Sequence, residues 1–124
     1  METDYKMAIE WWNGHKWDPI PASSLPKNGV VVSEDGADLA LGFLYGTDSD
    51  ISSIEWILSN PGAPLVKRTK AVKLVVESLT ALSQHIGYGV CMAWLVSNGL
   101  KKVFAQNGYI VGPNNLANVI RRFK

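Results

Sequence analysis

The sequence predicts a mixed α/β domain, with a central mixed β-sheet and a long helix that follows the central strand. Three observations support this fold class. An Asp-Gly turn separates two β-rich segments within residues 30–46, the hydrophobic period becomes helical over residues 66–86, and an apolar run follows at 89–96. The strand–helix–strand unit favours a parallel pair with a right-handed crossover, whereas the hairpin favours antiparallel neighbours.

The 124 residues predict a single domain, 1–124, in two parts. Residues 1–29 are aromatic and rich in proline. Within them, 5–9 (YKMAI) predicts a short first strand, and 10–29 predicts only short helices and turns because prolines interrupt it. Three tryptophans lie there: Trp11, Trp12 and Trp17. We expect at least two to pack against the sheet, and a surface that binds a flat ligand is the alternative.

Residues 30–124 contain the hairpin, the central strand, the long helix and C-terminal strands. Asp35-Gly36 supplies the positive φ of a tight hairpin turn, and the central strand is predicted at 51–60, before Pro61-Gly62. In 66–86, apolar residues recur three or four apart, and Gly87 favours the helix end.

The segments after the long helix complete the predicted sheet. The run 89–96 predicts a strand covered on both faces, and 98–108 predicts a short helix. Residues 109–111 and 116–123 predict closing strands.

The composition favours a soluble cytoplasmic protein. Hydrophobic residues make up 47% and charged residues 19%, and no apolar run is long enough to span a membrane. The formal net charge of +1 gives no general attraction to nucleic acid or to an anionic membrane. The single cysteine, Cys91, excludes an internal disulfide. His15, His85 and Cys91 lack the spacing of metal ligands, so no metal site is expected.

Residues 67–73 (KRTKAVK) place four cations near the predicted start of the long helix: Lys67, Arg68, Lys70 and Lys73. The helix macrodipole makes this end partially positive, so an exposed cation in the first turn costs roughly 0.3–1 kcal/mol. Two interpretations stay open. The cations are solvated on an exposed turn, or they and the free N–H groups bind an anion such as a phosphate.

From about residue 30 to residue 123 the chain resembles the GCN5-related N-acetyltransferase family in element order and in two local patterns. The first is the family's pyrophosphate loop, Arg/Gln-x-x-Gly-x-Gly/Ala, whose place RTKAVK (68–73) occupies. The second combines an Asn, a short helix, a Tyr and a terminal Gly-Phe, and NGLKKVFAQNGY (98–109) lies in its place. The stretch 42–61 also looks like the hairpin partner and central strand of compact members.

This resemblance implies an acyl-CoA N-acyltransferase-like fold with acetyl-CoA as co-substrate. It implies that the pantetheine arm pairs with the backbone of Ile57, Leu58 and Ser59. The pyrophosphate would lie on six residues: Arg68, Thr69, Lys70, Ala71, Val72 and Lys73. Asn98 corresponds to the family's Asn near the cofactor arm, although Asn is also a good helix cap.

The chain departs from the family pattern at three positions. Ala71 and Lys73 replace the motif glycines, which let a pyrophosphate approach the backbone closely. Phe104 stands where the family has the Tyr that protonates the departing CoA thiolate. Losing this acid slows transfer by about 10²–10⁴-fold rather than forbidding it.

Glu55 is the candidate general base because it lies on the predicted central strand. Its alternation with Ile54 and Trp56 predicts that it points to the opposite face from both. A solvent-facing strand glutamate is the alternative.

The leading functional hypothesis is therefore an N-acetyltransferase that moves an acetyl or short acyl group from acetyl-CoA to a primary amine, on a small molecule or a protein. The alternative is a non-catalytic protein on the same scaffold that binds CoA or a protein partner. Pairing of sheet edges into a homodimer is compatible with this architecture.

Overall fold

The computed structural model describes residues 2–95 and 97–113, together with Leu116, Val119, Arg121 and Phe123. It is a mixed α+β structure, and a short 3₁₀ turn at Ala22–Ser24 precedes the first strand. The helices and strands, in chain order, are α1 (Glu2–Gly14), β1 (Gly29–Glu34), β2 (Ala37–Gly46), β3 (Ile51–Ser59), α2 (Leu65–Ile86), β4 (Val90–Met92) and α3 (Asn98–Gln106).

The four strands form one mixed sheet in the order β1-β2-β3-β4. β1 pairs antiparallel with β2, β2 pairs antiparallel with β3, and β3 pairs parallel with β4. The predicted mixed sheet is confirmed, since α2 is the crossover of the parallel pair.

The hairpin between β1 and β2 turns where the sequence predicts. Asp35 and Gly36 have φ angles of 52° and 78°, the positive values that a two-residue turn of this kind needs. The predicted long helix is also confirmed, and Gly87, with φ 112°, ends it in the left-handed conformation.

Helices cover both faces of the sheet. On one face, α1 packs through a cluster that comprises Ala8, Trp11, Trp12, Leu41 and Leu58, which we call the α1 cluster. On the other face, α2 and α3 pack through a larger cluster, the α2 cluster, which includes Ala40, Leu44, Ile54, Val75, Val76, Leu79 and Phe104. The sheet is therefore the middle layer of three.

The prediction for the tryptophans is confirmed for two of them. Trp11 and Trp12 are 5% and 2% exposed and belong to the α1 cluster. Trp17 is 54% exposed, and its ring stacks on His15 with the centroids 4.8 Å apart.

The predicted strand at 5–9 is wrong, since these residues belong to α1. Ala8, Trp11 and Trp12 recur at helical spacing and form a buried stripe against the sheet. A five-residue apolar window fits a strand and a buried helix equally well, and only packing against β2 and β3 decides between them.

The predicted doubly covered strand at 89–96 is also wrong in extent and in burial. Among the described residues of this run, which end at Leu95, regular pairing covers only Val90–Met92, which form an edge strand, and Val90 is 49% exposed. Trp94, inside the predicted strand, is 61% exposed. Cys91, Ala93 and Leu95 of this run are only partly buried and pack against the α2 cluster.

The predicted closing strands are not seen where the structure describes them. Residues 109–111 form no strand, because Tyr109 turns inward against Phe104 while Ile110 is 97% exposed. The predicted strand at 116–123 falls largely outside the described residues. Across the described part of the chain, no helix combines the length and apolar character that crossing a membrane requires.

Candidate functional site

β3 contains a bulge at its centre. Leu58 pairs with Leu41 and Glu55 pairs with Phe43, so two residues of β3, Trp56 and Ile57, oppose the single residue left between them on β2. Trp56 has a φ of 56°, which is an outlier for a bulky side chain. Such a conformation costs on the order of 1–3 kcal/mol and tends to occur at functional sites.

The bulge changes which side chains share a face. Ile54 and Ile57 both pack on the α2 cluster although they are three residues apart, whereas Trp56 packs on the α1 cluster. Glu55 is directly across from Phe43, which also packs on the α1 cluster. Glu55 therefore points away from Ile54, as predicted. The prediction that it also points away from Trp56 is wrong, because the bulge places both on the α1 face.

Glu55 is half-buried and hydrogen-bonded. The hydroxyl of Ser53 donates to Glu55 Oε1 over 2.8 Å. Burial raises the pKa of the Glu55 carboxyl above its ordinary value, and the bond from Ser53 opposes this rise. A carboxylate whose pKa is raised toward neutral is better matched to accepting a proton from an amine.

Tyr45 connects the bulge to the segment before β1. Its hydroxyl accepts a hydrogen bond from Trp56 Nε1 over 2.7 Å and donates to the carbonyl oxygen of Ser24 over 2.8 Å. Burial is the main reason why the pKa of Tyr45 is raised, and the nearby charge of Glu55 raises it further. We call Tyr45, Ser53, Glu55 and Trp56 the Glu55 cluster. Of these four residues, the sequence pointed only to Glu55. The short loop between β2 and β3 implies that they pair antiparallel, and this pairing alone would have placed Tyr45 beside Ser53.

A groove of about 670 Å³ reaches Phe43, the cross-strand partner of Glu55. Apolar side chains from α1, from the segment before β1, and from β1 and β2 form most of its wall: Tyr5, Leu25, Pro26, Val31, Leu41 and Phe43. Its polar groups include Lys27, Ser33 and Asp38. The groove therefore suits the apolar part of a ligand better than a highly charged group.

In the described chain, β3 pairs with β4 only over the first three residues of β3. Ile51, Ser52 and Ser53 pair with Val90, Cys91 and Met92. Beyond Ser53, no strand of the described chain pairs with that edge of β3. Ile57, Leu58 and Ser59 therefore lie on an open edge, although the Leu58 side chain is buried in the α1 cluster.

α2 begins beside the carboxyl end of β3. Its N-cap, Pro64, provides no side-chain cap, and no acidic residue lies in the first turn. Arg68 Nε donates to the hydroxyl oxygen of Ser59 over 3.2 Å. The structure thus brings together the two predicted cofactor segments through Arg68 and Ser59, next to N–H groups that have no intrahelical acceptor.

The cations of 67–73 are spread along α2 rather than gathered at its start. The helix begins at Leu65, so Lys70 and Lys73 lie beyond the first turn, where the macrodipole has little effect. Ala71 is buried in the α2 cluster and Val72 packs against it, so neither side chain faces a ligand. The Thr69 hydroxyl donates to the carbonyl oxygen of Leu65 within the helix, over 2.9 Å. Only Lys67, Lys70 and Lys73 of this segment are exposed cations, with Arg68 partly buried.

His15 is a further residue at this corner that the sequence did not reveal. Its Nε2 donates to the carbonyl oxygen of Ser59 over 2.9 Å, so the end of β3 is held by α1 as well as by Arg68. Gly14 lies so close to Pro61 that an added Cβ would be 2.6 Å from Pro61 Cγ. The end of α1 therefore fixes the loop that leads into α2.

Asn98 does not cap α3, which corrects the capping interpretation. Ser97 is the N-cap, and its hydroxyl oxygen accepts from the backbone N–H of Leu100 over 3.3 Å. Asn98 is the exposed first residue of the helix. Phe104 is 2% exposed and packs edge-on against Tyr109, so it contributes to the core.

Two tyrosines near the beginning of β3, Tyr109 and Tyr88, have defined positions. The hydroxyl of Tyr109 lies 2.7 Å from Thr80 Oγ1 and donates to Cys91 Sγ over 3.2 Å. Burial, and the bond to Cys91, raise the pKa of Tyr109 to about 12. The hydroxyl of Tyr88 lies against Gly46, at the end of β2 that pairs with the beginning of β3.

No protein-family model matches the chain, and no curated protein matches it either. Among the described residues, no group of three or more His, Cys, Asp or Glu side chains is arranged to hold a metal ion. The features of the described chain that bear on function are the open edge of β3, the start of α2 and the Glu55 cluster.

Proposed function

We propose that this protein binds acetyl-CoA, or another short acyl-CoA, and transfers the acyl group to a primary amine. The observation that carries the proposal is the open edge of β3 beyond Ser53, which leads to an uncapped helix start with nearby cations. We infer that the mixed sheet and α2 form the core of an acyl-CoA N-acyltransferase-like fold.

The phosphates of the cofactor would lie at the start of α2. Its N–H groups and partial positive charge favour an anion, and Lys67 and Arg68 add full charges beside them. Arg68 already extends toward Ser59, so the guanidinium lies between the helix and the end of β3. Lys70 and Lys73 lie further along α2 and would contribute through the flexibility of their long side chains.

The pantetheine arm would occupy the open edge of β3 and hydrogen-bond to the backbone around Ile57, Leu58 and Ser59. An extended chain can pair with a free strand edge through main-chain groups, whatever the side chains are. The bulge at Trp56 lies at the beginning of this edge and bends β3.

Glu55 would accept the proton of the amine, directly or through a water. The free amine then attacks the thioester carbonyl carbon, the nitrogen of the tetrahedral intermediate gives its extra proton to water, the carbon–sulfur bond breaks, and the products are an amide and the CoA thiolate. Phe104 has no proton to give, so the thiolate, whose ordinary pKa is near 8.5, would take its proton from water. Holding the two reactants at near-attack distance would supply about 7–11 kcal/mol of the barrier reduction.

The acceptor would place its apolar part in the groove that reaches Phe43. Because Phe43 is directly across from Glu55, an amine at the inner end of this groove would come near the carboxylate. The mostly apolar wall favours a primary amine that carries a hydrocarbon or aromatic group.

Thermal unfolding with and without acetyl-CoA tests the cofactor part of the proposal. A ligand at about 100 times its dissociation constant adds about 2.7 kcal/mol to the folded state and raises the Tm by several degrees. Lys67→Glu should reduce the affinity roughly tenfold, because it replaces a cation beside the helix start with an anion. The matched control is Lys102→Glu, an exposed lysine on α3, which should leave the affinity unchanged.

Glu55→Gln tests the catalytic part by release of free CoA thiol with a panel of primary amines. We expect kcat/KM to fall about 10²–10⁴-fold while acetyl-CoA affinity stays the same. The burial of Phe104 favours a second candidate, a protein that holds CoA without turnover. A Tm increase with acetyl-CoA, but no thiol release with any amine, would support that candidate. The absence of a Tm increase at millimolar acetyl-CoA would overturn both.

A further inference from the structure

β1 is an outer strand of the four-stranded sheet. It pairs with β2 on one side, and on the other side no strand of the described chain pairs with it. Its sequence, GVVVSE, contains neither proline nor lysine, the residues that commonly block such edges. The irregularity in its ladder with β2 comes only after Val32, so most of β1 is a regular strand.

The hydrogen-bond pattern fixes which residues of β1 face outward. The backbone N–H of Leu44 donates to the carbonyl oxygen of Asn28 over 2.9 Å, and Gly29 pairs with Phe43 in the adjacent position. Alternate residues of an antiparallel strand direct both backbone groups to the same side. Residues 28, 30 and 32 therefore bond to β2, whereas Gly29, Val31 and Ser33 direct their N–H and carbonyl groups to the free edge.

We propose that this edge binds a second copy of the chain, as a two-fold symmetric dimer in which the two β1 strands pair antiparallel about Val31. In this register Val31 of one copy pairs with Val31 of the other, and Gly29 of each copy pairs with Ser33 of the other. All three outward residues then exchange N–H···O bonds with outward residues of the partner. Moving the symmetry axis to residue 30 or 32 leaves some of these groups without an outward partner.

The charges that flank β1 favour the same register. Lys27 precedes the strand, Glu34 ends it and Asp35 follows, and all three side chains are exposed. With the axis at Val31, Lys27 of each copy lies opposite Asp35 of the other, next to Glu34. A parallel arrangement would instead bring like charges together at both ends, which destabilises strand pairing.

Packing on both faces of β1 fixes the position of the strand whose edge would pair with the second copy. Val30 and Val32 pack against the α2 cluster, and Val31 packs against the α1 cluster. Because both faces are supported, pairing requires no rearrangement of the strand. The inference does not depend on the proposed acyl transfer.

Sedimentation velocity over a dilution series tests the dimer, with charge reversal as the specific probe. Lys27→Glu should raise the dimer dissociation constant about tenfold or more, since like charges then meet at both ends. The double variant Glu34→Lys/Asp35→Asn should do the same, and it keeps a residue at 35 that tolerates positive φ. Mixing the two variants should restore the dimer, because every facing pair is then opposite or neutral. Lys102→Glu on α3 is the matched control and should leave the dissociation constant unchanged.

Val31→Pro provides a test that does not involve charge. It removes an outward N–H without removing a bond to β2, so it should abolish the dimer, whereas the similarly shaped Val31→Thr should preserve it. Thermal unfolding of each variant establishes that the monomer is folded. A monomer at all concentrations of the unchanged protein would overturn the proposal. So would a dimer that Lys27→Glu and folded Val31→Pro leave intact.

Discussion

The indole Nε1 of Trp56 donates a hydrogen bond to the hydroxyl oxygen of Tyr45 over 2.7 Å, and this contact supports the bulge in β3. Tyr45 in turn donates to the carbonyl oxygen of Ser24 over 2.8 Å. The contact therefore links the positive-φ residue of β3 with β2 and with the segment before β1. Removing the Tyr45 hydroxyl leaves the indole N–H without this partner, whereas removing Trp56 leaves Tyr45 its bond to Ser24.

A double-mutant cycle measures this contact. Tyr45→Phe should lower the free energy of unfolding by about 1–2 kcal/mol, because the indole N–H and the Ser24 carbonyl lose a partly buried partner. Combined with Trp56→Phe, the losses should not add, and the coupling energy should be about 0.5–1.5 kcal/mol. Urea unfolding of the four proteins gives these values. Additive losses would contradict the hydrogen bond as a stabilising contact.

The raised pKa of Glu55 predicts a specific dependence of stability on pH. A carboxyl group whose pKa is higher in the folded state stabilises the fold fully below its unfolded pKa, and that contribution is lost as pH rises through the folded pKa. Glu55→Gln should therefore be more favourable, relative to the unchanged protein, at about pH 7 than at about pH 4.

Urea unfolding across this pH range measures the difference. The control is Glu77→Gln, which removes the same charge from an exposed position on α2, outside the Glu55 cluster. If Glu55→Gln became relatively less stable with increasing pH, burial would not be the dominant influence on Glu55.

Gly42 sets how closely α2 approaches the sheet. A Cβ at this position would lie 2.7 Å from Val75 Cγ1 and 3.1 Å from Leu79 Cδ1, both in the core. Gly42→Ala should therefore destabilise the protein by about 1–3 kcal/mol, as overpacking generally does. Gly112→Ala is the control, since an added Cβ meets nothing within 4 Å there, and the change should stay within about 0.5 kcal/mol. Thermal and urea unfolding compare the two.

Tyr109 should ionise well above the ordinary tyrosine range. Its pKa of about 12 lies above the ordinary tyrosine value near 10, so its stabilising contribution is present below about pH 10 and lost as pH rises through 12. Phenolate absorbance should show a final step near pH 12 that disappears in Tyr109→Phe and persists in Tyr88→Phe. A titration of the unchanged protein that was complete by about pH 11 would contradict the burial of the Tyr109 hydroxyl and its bond to Cys91.

Local chemistry made several elements predictable. Asp35-Gly36 requires positive φ at two successive residues, and that requirement alone places the hairpin turn. The segment 66–86, over which apolar residues recur at helical spacing, is longer than any strand in the sheet, so the sequence identifies α2 as a helix without ambiguity. The two-strand hairpin, the central strand and the crossover helix then left few topologies other than a mixed sheet.

Candidate site residues were predictable only where their effect is local. The sequence identifies Glu55 because it is the acidic residue of the predicted central strand. Whether its side chain is exposed or buried depends on packing that the strand sequence alone does not specify. Ser53, whose hydrogen bond lowers the pKa of Glu55, is two residues away on the same strand, whereas the burial that raises this pKa comes from the packing of the layers. The role of His15 depends on the end of α1 meeting the end of β3, 44 residues apart in sequence.

The sequence by itself determined the turn at Asp35-Gly36, the length and apolar face of α2, and the order of strands and helices from β1 to α3, because each depends on neighbours within a few positions along the chain. Tertiary structure alone decided that YKMAI is helical and that β4 stops at Met92. It also decided that Trp56 shares a face with Glu55. The physical reason is the same in all three cases, since each is settled by which surface the segment buries against another part of the chain, and that surface exists only after the layers have packed.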